Sequence, residues 1–243
     1  MLYLRAILFN LLSWLIFAGL GLLYLPLLLI PGRPGERIMM AAGTLWSRLM
    51  LGLTAMVVGL DYEVRGQSNI PRTPAIFAIK HQSAWDTLAV ASLLPAPVVV
   101  LKRELFWIPF YGWYARRAGM IAIDRSAGAA ALRRMLRAGR EALAKGRSIV
   151  IFPQGTRTMP ASLGGKPKPY QPGVAALYGD LGVPVVPVAL NSGVFWSRRA
   201  FCKYPGRIVV EFLPPIPPGL SKRDFLAQLE TAIESATNRL EYK

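Results

Sequence analysis

The first 31 residues contain a long apolar run, and this run constrains the fold more than any other feature of the sequence. Between Ala6 and Pro31 there is no charged residue. A membrane-spanning helix needs roughly 20 apolar residues, so the run is long enough to cross a bilayer. A signal peptide is the alternative, with Arg5 as its basic end, but such a peptide has an apolar core of about 7–15 residues followed by a small-residue cleavage site. The run is longer and lacks such a site, so it predicts a membrane anchor.

A second apolar segment runs from Ile38 to Leu60, but it carries Arg48 near its middle. A charge at mid-bilayer costs on the order of 2.5–3.5 kcal/mol on insertion scales, so this segment would make a poor second span. A half-buried helix whose Arg48 side chain reaches the interface avoids that cost. Residues 1–60 are therefore predicted to form a helical hairpin that anchors the protein to one face of a membrane, with two full spans as the alternative.

The composition also indicates a membrane surface. The chain of 243 residues is 53% hydrophobic and has a net charge of +16, and each Lys or Arg near anionic headgroups contributes about 1 kcal/mol to binding. Charge alone leaves nucleic acid open as a partner. The single cysteine, Cys202, allows no internal disulfide and is typical of a reducing compartment. With one cysteine and one histidine, the chain has too few ligands for a structural zinc site.

From residue 61 onward, short apolar β runs alternate with helical stretches. The predicted strands cover residues 75–79, 98–101, 120–123, 148–152, 183–190 and 207–213. The predicted helices cover residues 84–94, 127–145, 173–181 and 221–241. Strands that are apolar on both faces and separated by helices predict an α/β fold with a mainly parallel sheet flanked by helices. The chain would thus divide into an anchor (1–60) and an α/β domain (61–243), with functional loops at the carboxyl ends of the strands.

The only histidine, His81, follows the first of these strands, and Asp86 comes five residues later in the sequence HQSAWD. Ser83 to Asp86 matches a capping box at the start of the next helix, which would give Asp86 a purely structural role. On one regular helix, residues five apart lie about 140° apart, so the two side chains could meet only if the chain breaks between them. The capping box predicts that break. The structural interpretation of Asp86 and its interpretation as the partner of His81 therefore predict the same backbone conformation. The capping box does not decide between them.

Two further polar loops follow predicted strands. Asp124 and Arg125 come directly after one strand, and the sequence PQGTRT follows another. Gly155 in this second loop would allow backbone N–H groups to approach an anion, and Arg157 can bind a phosphate through two hydrogen bonds. One base and two arginines at the same edge of a sheet suit a substrate that carries both a hydroxyl and a phosphate.

Together these blocks resemble the glycerolipid acyltransferase family over about residues 75–190. The family's H-x4-D block resembles HQSAWD, its G-x-I-x-I-D-R block resembles GMIAIDR, its F-P-E-G-T-R block resembles FPQGTRT, and its V-P-V-V-P-V block matches residues 183–188. The segment KRELFWIPFYGW is similar to the family's K-x-E-L…P segment and contains Lys102 and Glu104. The resemblance implies a glycerol-phosphate acyltransferase-like fold and makes residues 61–243 the acyltransferase domain.

The resemblance also implies a reaction. The family's bacterial membrane member transfers a fatty acyl group from a thioester to the 2-hydroxyl of lysophosphatidic acid, which gives phosphatidic acid. In that chemistry His81 would be the general base, Asp86 would orient its ring, and backbone N–H groups near Gly155 would stabilise the oxyanion. The implied substrate-binding residues are Lys102, Arg125, Gln154, Gly155, Thr156 and Arg157. No metal and no cofactor are implied, and the co-substrate would be acyl-coenzyme A or acyl-acyl-carrier protein.

Gln154 departs from the family pattern, which usually has glutamate at this position. The amide keeps the size and hydrogen-bonding capacity of glutamate but loses the charge and any acid–base role. Either that carboxylate is not essential to the chemistry, or this chain handles its substrate differently. We expect Gln154 to line the pocket.

Other functions remain as alternatives at this point. The acceptor could be another lysolipid, such as a lyso-aminolipid, or glycerol 3-phosphate. From a different class, the chain could be a non-catalytic basic membrane protein that binds anionic lipid or nucleic acid through a basic helix. The basic residues of that helix are Arg133, Arg134, Arg137 and Arg140. The expected partners are a lysophospholipid acceptor, an acyl donor and anionic membrane lipid, and no nucleic acid is expected. The expected location is the bacterial inner membrane, with the catalytic domain on the cytoplasmic side.

Overall fold

The computed structural model describes residues 1–242, apart from the side chain of Arg125. Within these residues, one sheet of seven strands forms the centre of the molecule. The strands are β1 (Leu60–Arg65), β2 (Ile76–Ile79), β3 (Val98–Lys102), β4 (Ile121–Ile123), β5 (Ile149–Ile151), β6 (Val185–Leu190) and β7 (Gly206–Phe212). Their order across the sheet is β1-β7-β6-β2-β5-β3-β4. Neighbouring strands are parallel except for β6 and β7, which are antiparallel.

Helices cover both faces of the sheet. They are α1 (Leu2–Leu23), α2 (Gly32–Leu53), α3 (Ala84–Leu93), α4 (Tyr111–Arg117), α5 (Gly128–Ala144), α6 (Pro172–Leu181), α7 (Ser192–Phe195) and α8 (Lys222–Glu241). Alternate residues of a strand point to opposite faces, and β2 follows this rule. Phe77 and Ile79 pack in one core with residues of α1, α2 and α3, whereas Ile76 and Ala78 pack in a second core with residues of α5, α6 and α8.

The predicted fold class is confirmed, and all six predicted strands and four predicted helices are present with small shifts at their ends. The prediction missed β1, α4 and α7. Strand β1 has the sequence LDYEVR, whose charged residues hide it from a search for apolar runs. It lies at the edge of the sheet, where one side of a strand is unpaired and polar side chains are tolerated.

The sheet topology brings the polar loops together. Strands β6, β2, β5, β3 and β4 are adjacent and mutually parallel. Their carboxyl ends therefore lie in one row along the same edge of the sheet. This is the edge at which ligands bind in open α/β sheets.

Helix α1 presents an apolar surface to the outside of the molecule. Its exposed large apolar residues are Tyr3, Leu4, Ile7, Leu8, Leu11, Trp14, Leu15, Leu22 and Leu23. On the inner side, Asn10 Oδ1 accepts a hydrogen bond from the buried Lys203 ammonium at 2.7 Å. That ammonium also lies 4.9 Å from the ring centroid of Phe9 and 5.0 Å from that of Trp196. These contacts attach α1 to the loop before β7.

Helix α2 combines a packed face with an exposed one. Thr44 Oγ1 donates to the Ala91 carbonyl of α3 at 3.1 Å, and the Ser47 and Ser92 hydroxyls lie 2.6 Å apart. Arg48, in the same part of the helix, is exposed. Among the described residues, Leu2–Leu23 and Gly32–Val58 are the two helical segments that are long and apolar enough to cross a membrane. The apolar helices fit the predicted anchoring hairpin, while the domain boundary at residue 60 stays a prediction.

An ion pair at its amino end also holds α2 to the α/β unit. Glu36 accepts hydrogen bonds from Arg147 at 2.5 Å and from Lys145 at 3.0 Å. Burial lowers the pKa of the Arg147 guanidinium, and the negative charge of Glu36 opposes this shift. The buried guanidinium therefore depends on Glu36 for its compensating charge.

Replacing Glu36 by glutamine (Glu36→Gln) is expected to lower the free energy of unfolding by about 2 kcal/mol, because Arg147 loses its charged partner. Denaturant unfolding of the purified protein in detergent measures the loss. Glu141→Gln is the matched control, since the Glu141 carboxylate is exposed and lies 4.0 Å from Arg137. The control should stay within about 0.5 kcal/mol of the wild type. Equal stability of the two variants would mean that Glu36 does not hold α2 in place.

Candidate active site

His81 lies in a short turn between β2 and α3. The turn ends at Ser83, the N-cap of α3, whose Oγ accepts a hydrogen bond from the Trp85 N–H at 3.1 Å. Asp86 Oδ2 accepts in return from the Ser83 N–H at 2.8 Å. The predicted capping box is therefore confirmed, and it supplies the break in the chain between His81 and Asp86.

The capping carboxylate also contacts the histidine ring. His81 Nδ1 lies 2.9 Å from Asp86 Oδ2, which accepts a further hydrogen bond from the Gln82 N–H at 2.7 Å. The second oxygen of Asp86 accepts from the hydroxyl of Ser192, the first residue of α7, which follows β6. Asp86 is thus both helix cap and histidine partner, and the two interpretations of the sequence do not exclude each other.

The surroundings fix the orientation of the imidazole. The His81 ring stacks on Phe152, with centroids 4.1 Å apart and planes inclined by 24°. Its side chain is 14% exposed, whereas that of Asp86 is fully buried. A carboxylate at Nδ1 favours the tautomer in which Nδ1 carries the proton and Nε2 has the lone pair. The arrangement therefore prepares Nε2 to accept a proton.

His81 borders a cavity of about 1130 Å³ that runs between the carboxyl edge of the sheet and α1. Apolar residues form most of its wall. They include Phe9, Trp14 and Phe17 of α1, Trp46 and Met50 of α2, and Leu101, Leu105, Ile108 and Leu132. Such a cavity is large enough for a lipid-sized ligand, since ligand pockets commonly measure about 300–1,000 Å³.

Cationic and polar groups also form part of the cavity wall. Of the predicted substrate-binding residues, Lys102, Gly155, Thr156 and Arg157 line the cavity. Arg198, which the sequence analysis did not select, also lines it. The cavity therefore joins His81, several cations and a long apolar wall.

The predicted residue Arg125 begins a short 3-10 turn (Arg125–Ala127) after β4. Its side chain lies outside the described residues, although Ile123 and Gly128 on either side of the turn line the cavity. Asp124 caps this turn by accepting from the Ser126 N–H at 3.0 Å and also accepts from Arg103 at 2.6 Å. The hydrogen bond from the Ser126 hydroxyl, together with that from Arg103, lowers the pKa of the Asp124 carboxyl.

Gln154 is not among the described residues that line the cavity. Its side chain is buried behind the loop, where Nε2 donates to Glu234 Oε1 of α8 at 3.2 Å. The geometry therefore favours a structural role for Gln154 over the predicted role in the pocket. The loop bends inward here because Gly155 has a positive φ of 66°, a conformation that glycine adopts readily.

The backbone N–H groups near Gly155 stay the expected oxyanion donors, with one difference at Gly155 itself. The Gly155 N–H donates to the Phe152 carbonyl at 2.8 Å and closes the turn after β5. This amide is therefore engaged within the loop and does not point at a substrate. The same loop is tied to the turn that carries His81, because the Thr158 N–H donates to the His81 carbonyl at 2.8 Å.

Sequence reasoning missed Ser192 and Arg198. Ser192 follows Asn191 at the carboxyl end of β6, so the rule that polar loops gather at strand ends could have found it. Nothing in the sequence separates Arg198 from its neighbour Arg199. Among residues 1–242, no group of three or more His, Cys, Asp or Glu side chains could hold a metal ion.

Comparison with known proteins identifies the family to which this chain belongs. A family model described as Acyltransferase matches residues 61–191. A 1-acyl-sn-glycerol-3-phosphate acyltransferase of Pseudomonas aeruginosa is 42% identical over 169 residues, which cover 70% of this chain and 64% of that protein. The enzyme of the same name from Limnanthes alba is 34% identical over 72% of this chain and 61% of its own length. The chain thus spans less than two thirds of the length of these two relatives.

Two further matches cover a larger share of the length of the other protein. The mouse 1-acyl-sn-glycerol-3-phosphate acyltransferase alpha is 32% identical over 84% of this chain and 69% of its own length. The crystal structure of the 1-acyl-sn-glycerophosphate (LPA) acyltransferase from Thermotoga maritima superposes with a TM-score of 0.76. That match covers 100% of this chain and 99% of the other at 22% identity, and it shows that the two proteins share a fold.

The Ser192 hydroxyl is expected to stabilise the site. Ser192→Ala leaves one oxygen of the buried Asp86 carboxylate without this donor and should lower the free energy of unfolding by about 1–3 kcal/mol. Ser162→Ala is the control, because among the described residues the buried Ser162 hydroxyl has no hydrogen-bond partner. Denaturant unfolding of both variants measures the difference. If Ser162→Ala costs as much as Ser192→Ala, the hydrogen bond to Asp86 does not contribute to stability.

Proposed function

This chain belongs to the acyltransferase family, and from that premise we propose that it transfers a fatty acyl group from a thioester to the 2-hydroxyl of lysophosphatidic acid. The product would be phosphatidic acid. Four relatives bear names that specify this acceptor or its synonym. One observation carries the proposal: His81, paired with Asp86, borders a cavity whose wall contains both cations and a long apolar surface.

Proton transfer is the role that the geometry supports for His81. Nε2 takes the proton of the acceptor hydroxyl as the hydroxyl oxygen attacks the thioester carbon, which typically accelerates such a step by 10²–10⁴-fold. The new C–O bond forms, the C–S bond breaks, and the proton passes from the imidazolium to the departing thiolate. Asp86 stabilises the imidazolium between these two events.

Tyr111, another titratable residue of the cavity wall, is a poor candidate for this role. Burial raises the pKa of its phenol to about 12. The phenol therefore stays protonated at neutral pH and can donate a hydrogen bond but cannot accept the hydroxyl proton.

The cavity wall supports an acceptor that carries both a phosphate and an acyl chain. Arg157 and Lys102 would bind the phosphate, with Arg198 as an additional cation. Arg125 remains a proposed phosphate ligand on the basis of the family pattern alone. The apolar wall of α1 and α2 would bind an acyl chain, which favours a lysolipid over glycerol 3-phosphate as the acceptor.

We further propose that the protein acts at the cytoplasmic side of a bacterial inner membrane. The apolar outer surface of α1 and the apolar length of α2 support association with a membrane. The net charge of +16 suits the anionic cytoplasmic leaflet. Acyl-coenzyme A and acyl-acyl-carrier protein both present the thioester that this chemistry needs, and no resident cofactor or metal enters the proposed steps.

His81→Ala is expected to lower kcat for acyl transfer by about 10²–10⁴-fold, because it removes the general base. Asp86→Asn should also lower kcat strongly, since the amide cannot stabilise the imidazolium. Ser83→Ala is the control for the capping role that Asp86 also has. It should lower the unfolding free energy by about 1 kcal/mol and leave kcat close to the wild-type value. If Asp86→Asn and Ser83→Ala lose only stability and keep turnover, the catalytic role of Asp86 is wrong.

The acceptor is tested with purified protein, both donor types and a panel of lysolipids. Lysophosphatidic acid should give the highest kcat/KM, and glycerol 3-phosphate and lyso-aminolipids should react poorly. A higher kcat/KM for either of those would contradict the proposed acceptor. A non-catalytic lipid-binding protein would instead show no transfer, tolerate His81→Ala, and lose membrane binding when the charges of Arg133, Arg134, Arg137 and Arg140 are reversed.

A further inference from the structure

Two carboxylates of helix α8 hold the residues on either side of His81. Lys80 Nζ donates to both carboxylate oxygens of Glu234, at 2.8 and 2.6 Å. Gln82 Nε2 donates to Oε1 of Glu241. Lys80 and Gln82 are both buried. The residues directly before and after the proposed base are therefore both held by side-chain contacts with the same helix, α8.

The spacing of the two glutamates explains how one helix reaches both neighbours. Residues seven apart on an α-helix lie on the same face, two turns apart. Glu234 and Glu241 have this spacing, and both lie in the carboxyl-terminal half of α8. This helix lies beyond residue 191, where the match to the family model ends.

The same carboxylates also bind the loops that complete the site. Glu234 Oε1 accepts from Gln154 Nε2 at 3.2 Å and from the Tyr170 hydroxyl at 2.9 Å. Burial and the Glu234 charge raise the pKa of that phenol, so it remains a donor. Glu241 Oε2 accepts from the Ser162 N–H at 3.1 Å. Glu234 thus joins the catalytic turn to the loop that carries Gly155 and Arg157.

The third loop of the site is connected to α8 in a similar way. Asn191 Nδ2 donates to the Leu240 carbonyl at 3.0 Å, and the next residue, Ser192, donates to Asp86. The Gly193 N–H donates to Gln82 Oε1 at 3.2 Å. Helix α8 therefore contacts all three chain segments that surround the His81–Asp86 pair.

We propose that α8 is the positioning element of the active site, with Glu234 and Glu241 holding His81 through Lys80 and Gln82. The inference rests on the proposed acyl transfer for its kinetic consequence. It also accounts for Gln154. A glutamate at this position would place a second carboxylate at the contact with Glu234, where like charges repel. In this chain the negative charge that pairs with Lys80 is the Glu234 carboxylate of α8. The Gln154 amide donates a hydrogen bond to the same carboxylate.

The experiment uses the full chain in detergent and follows His81 by two independent readouts. Because His81 is the only histidine, its modification by diethylpyrocarbonate can be measured by mass spectrometry without assuming any activity. The second readout is kcat and KM for acyl transfer. Glu234→Gln and Glu241→Gln should each raise the modification rate of His81 several-fold. They should also lower kcat by about 10–100-fold with little change in KM, as small displacements of catalytic groups do.

Two control variants separate positioning from general effects of charge and stability. Glu141→Gln removes an exposed carboxylate, and Glu36→Gln destabilises the protein at a site remote from His81. Both should keep the wild-type modification rate and kcat at temperatures below unfolding. If Glu234→Gln and Glu241→Gln also keep the wild-type values, or change them no more than Glu36→Gln does, the positioning role is overturned. If the wild type transfers no acyl group, the proposed function fails, and the modification rates still decide whether α8 positions His81.

An exchange of side chains tests the account of Gln154. Gln154→Glu alone should lower kcat, since two carboxylates then meet at the contact. The double variant Gln154→Glu/Glu234→Gln restores a single carboxylate near Lys80 and should recover kcat about tenfold relative to Glu234→Gln. A double variant whose loss equals the product of the two single losses would show that the two positions act independently, which contradicts the proposed charge relationship.

Discussion

The buried carboxylate of Asp86 is the interaction on which the site depends. It accepts hydrogen bonds from the backbone of Gln82 and Ser83, from the His81 ring and from the Ser192 hydroxyl. A buried carboxylate is stable only when its oxygens are well satisfied. The same bonds that satisfy it start α3, orient the imidazole and connect the loop after β6. One charged group therefore couples the local fold of the catalytic turn to the chemistry of the histidine.

In the proposed function, helix α1 would connect this chemistry to the membrane. Its outer side is apolar and exposed, while Phe9, Trp14 and Phe17 form part of the cavity wall beside the sheet edge. A lysolipid that leaves the bilayer along α1 would keep its acyl chain on apolar surface throughout, so little apolar area would be exposed to water. The Lys203–Asn10 hydrogen bond holds α1 at this position. In the proposed function, α1 is thus both a membrane contact and a wall of the site.

Local signals in the sequence were sufficient for the features that depend on neighbours along the chain. The apolar runs predicted six strands, and the SAWD cap predicted the break that brings His81 and Asp86 together. Features that depend on distant residues could not be predicted. The partner of Gln154 is 80 residues away in α8, and no periodicity indicates whether a loop side chain points into a cavity or behind it. Strand β1 was missed because its pairing with β7, and not its own composition, makes it a strand.

The central claim is that Asp86 holds His81 with its Nδ1 protonated and its Nε2 ready to accept the hydroxyl proton. NMR of the protein labelled with ¹⁵N-histidine tests it directly, because the spectrum contains the signals of one imidazole. At a pH where the ring is neutral, the account predicts a protonated Nδ1 and an unprotonated Nε2 in the wild type, and loss of this preference in Asp86→Asn. A wild-type ring that carries its proton on Nε2, or a preference that Asp86→Asn leaves unchanged, would contradict the account.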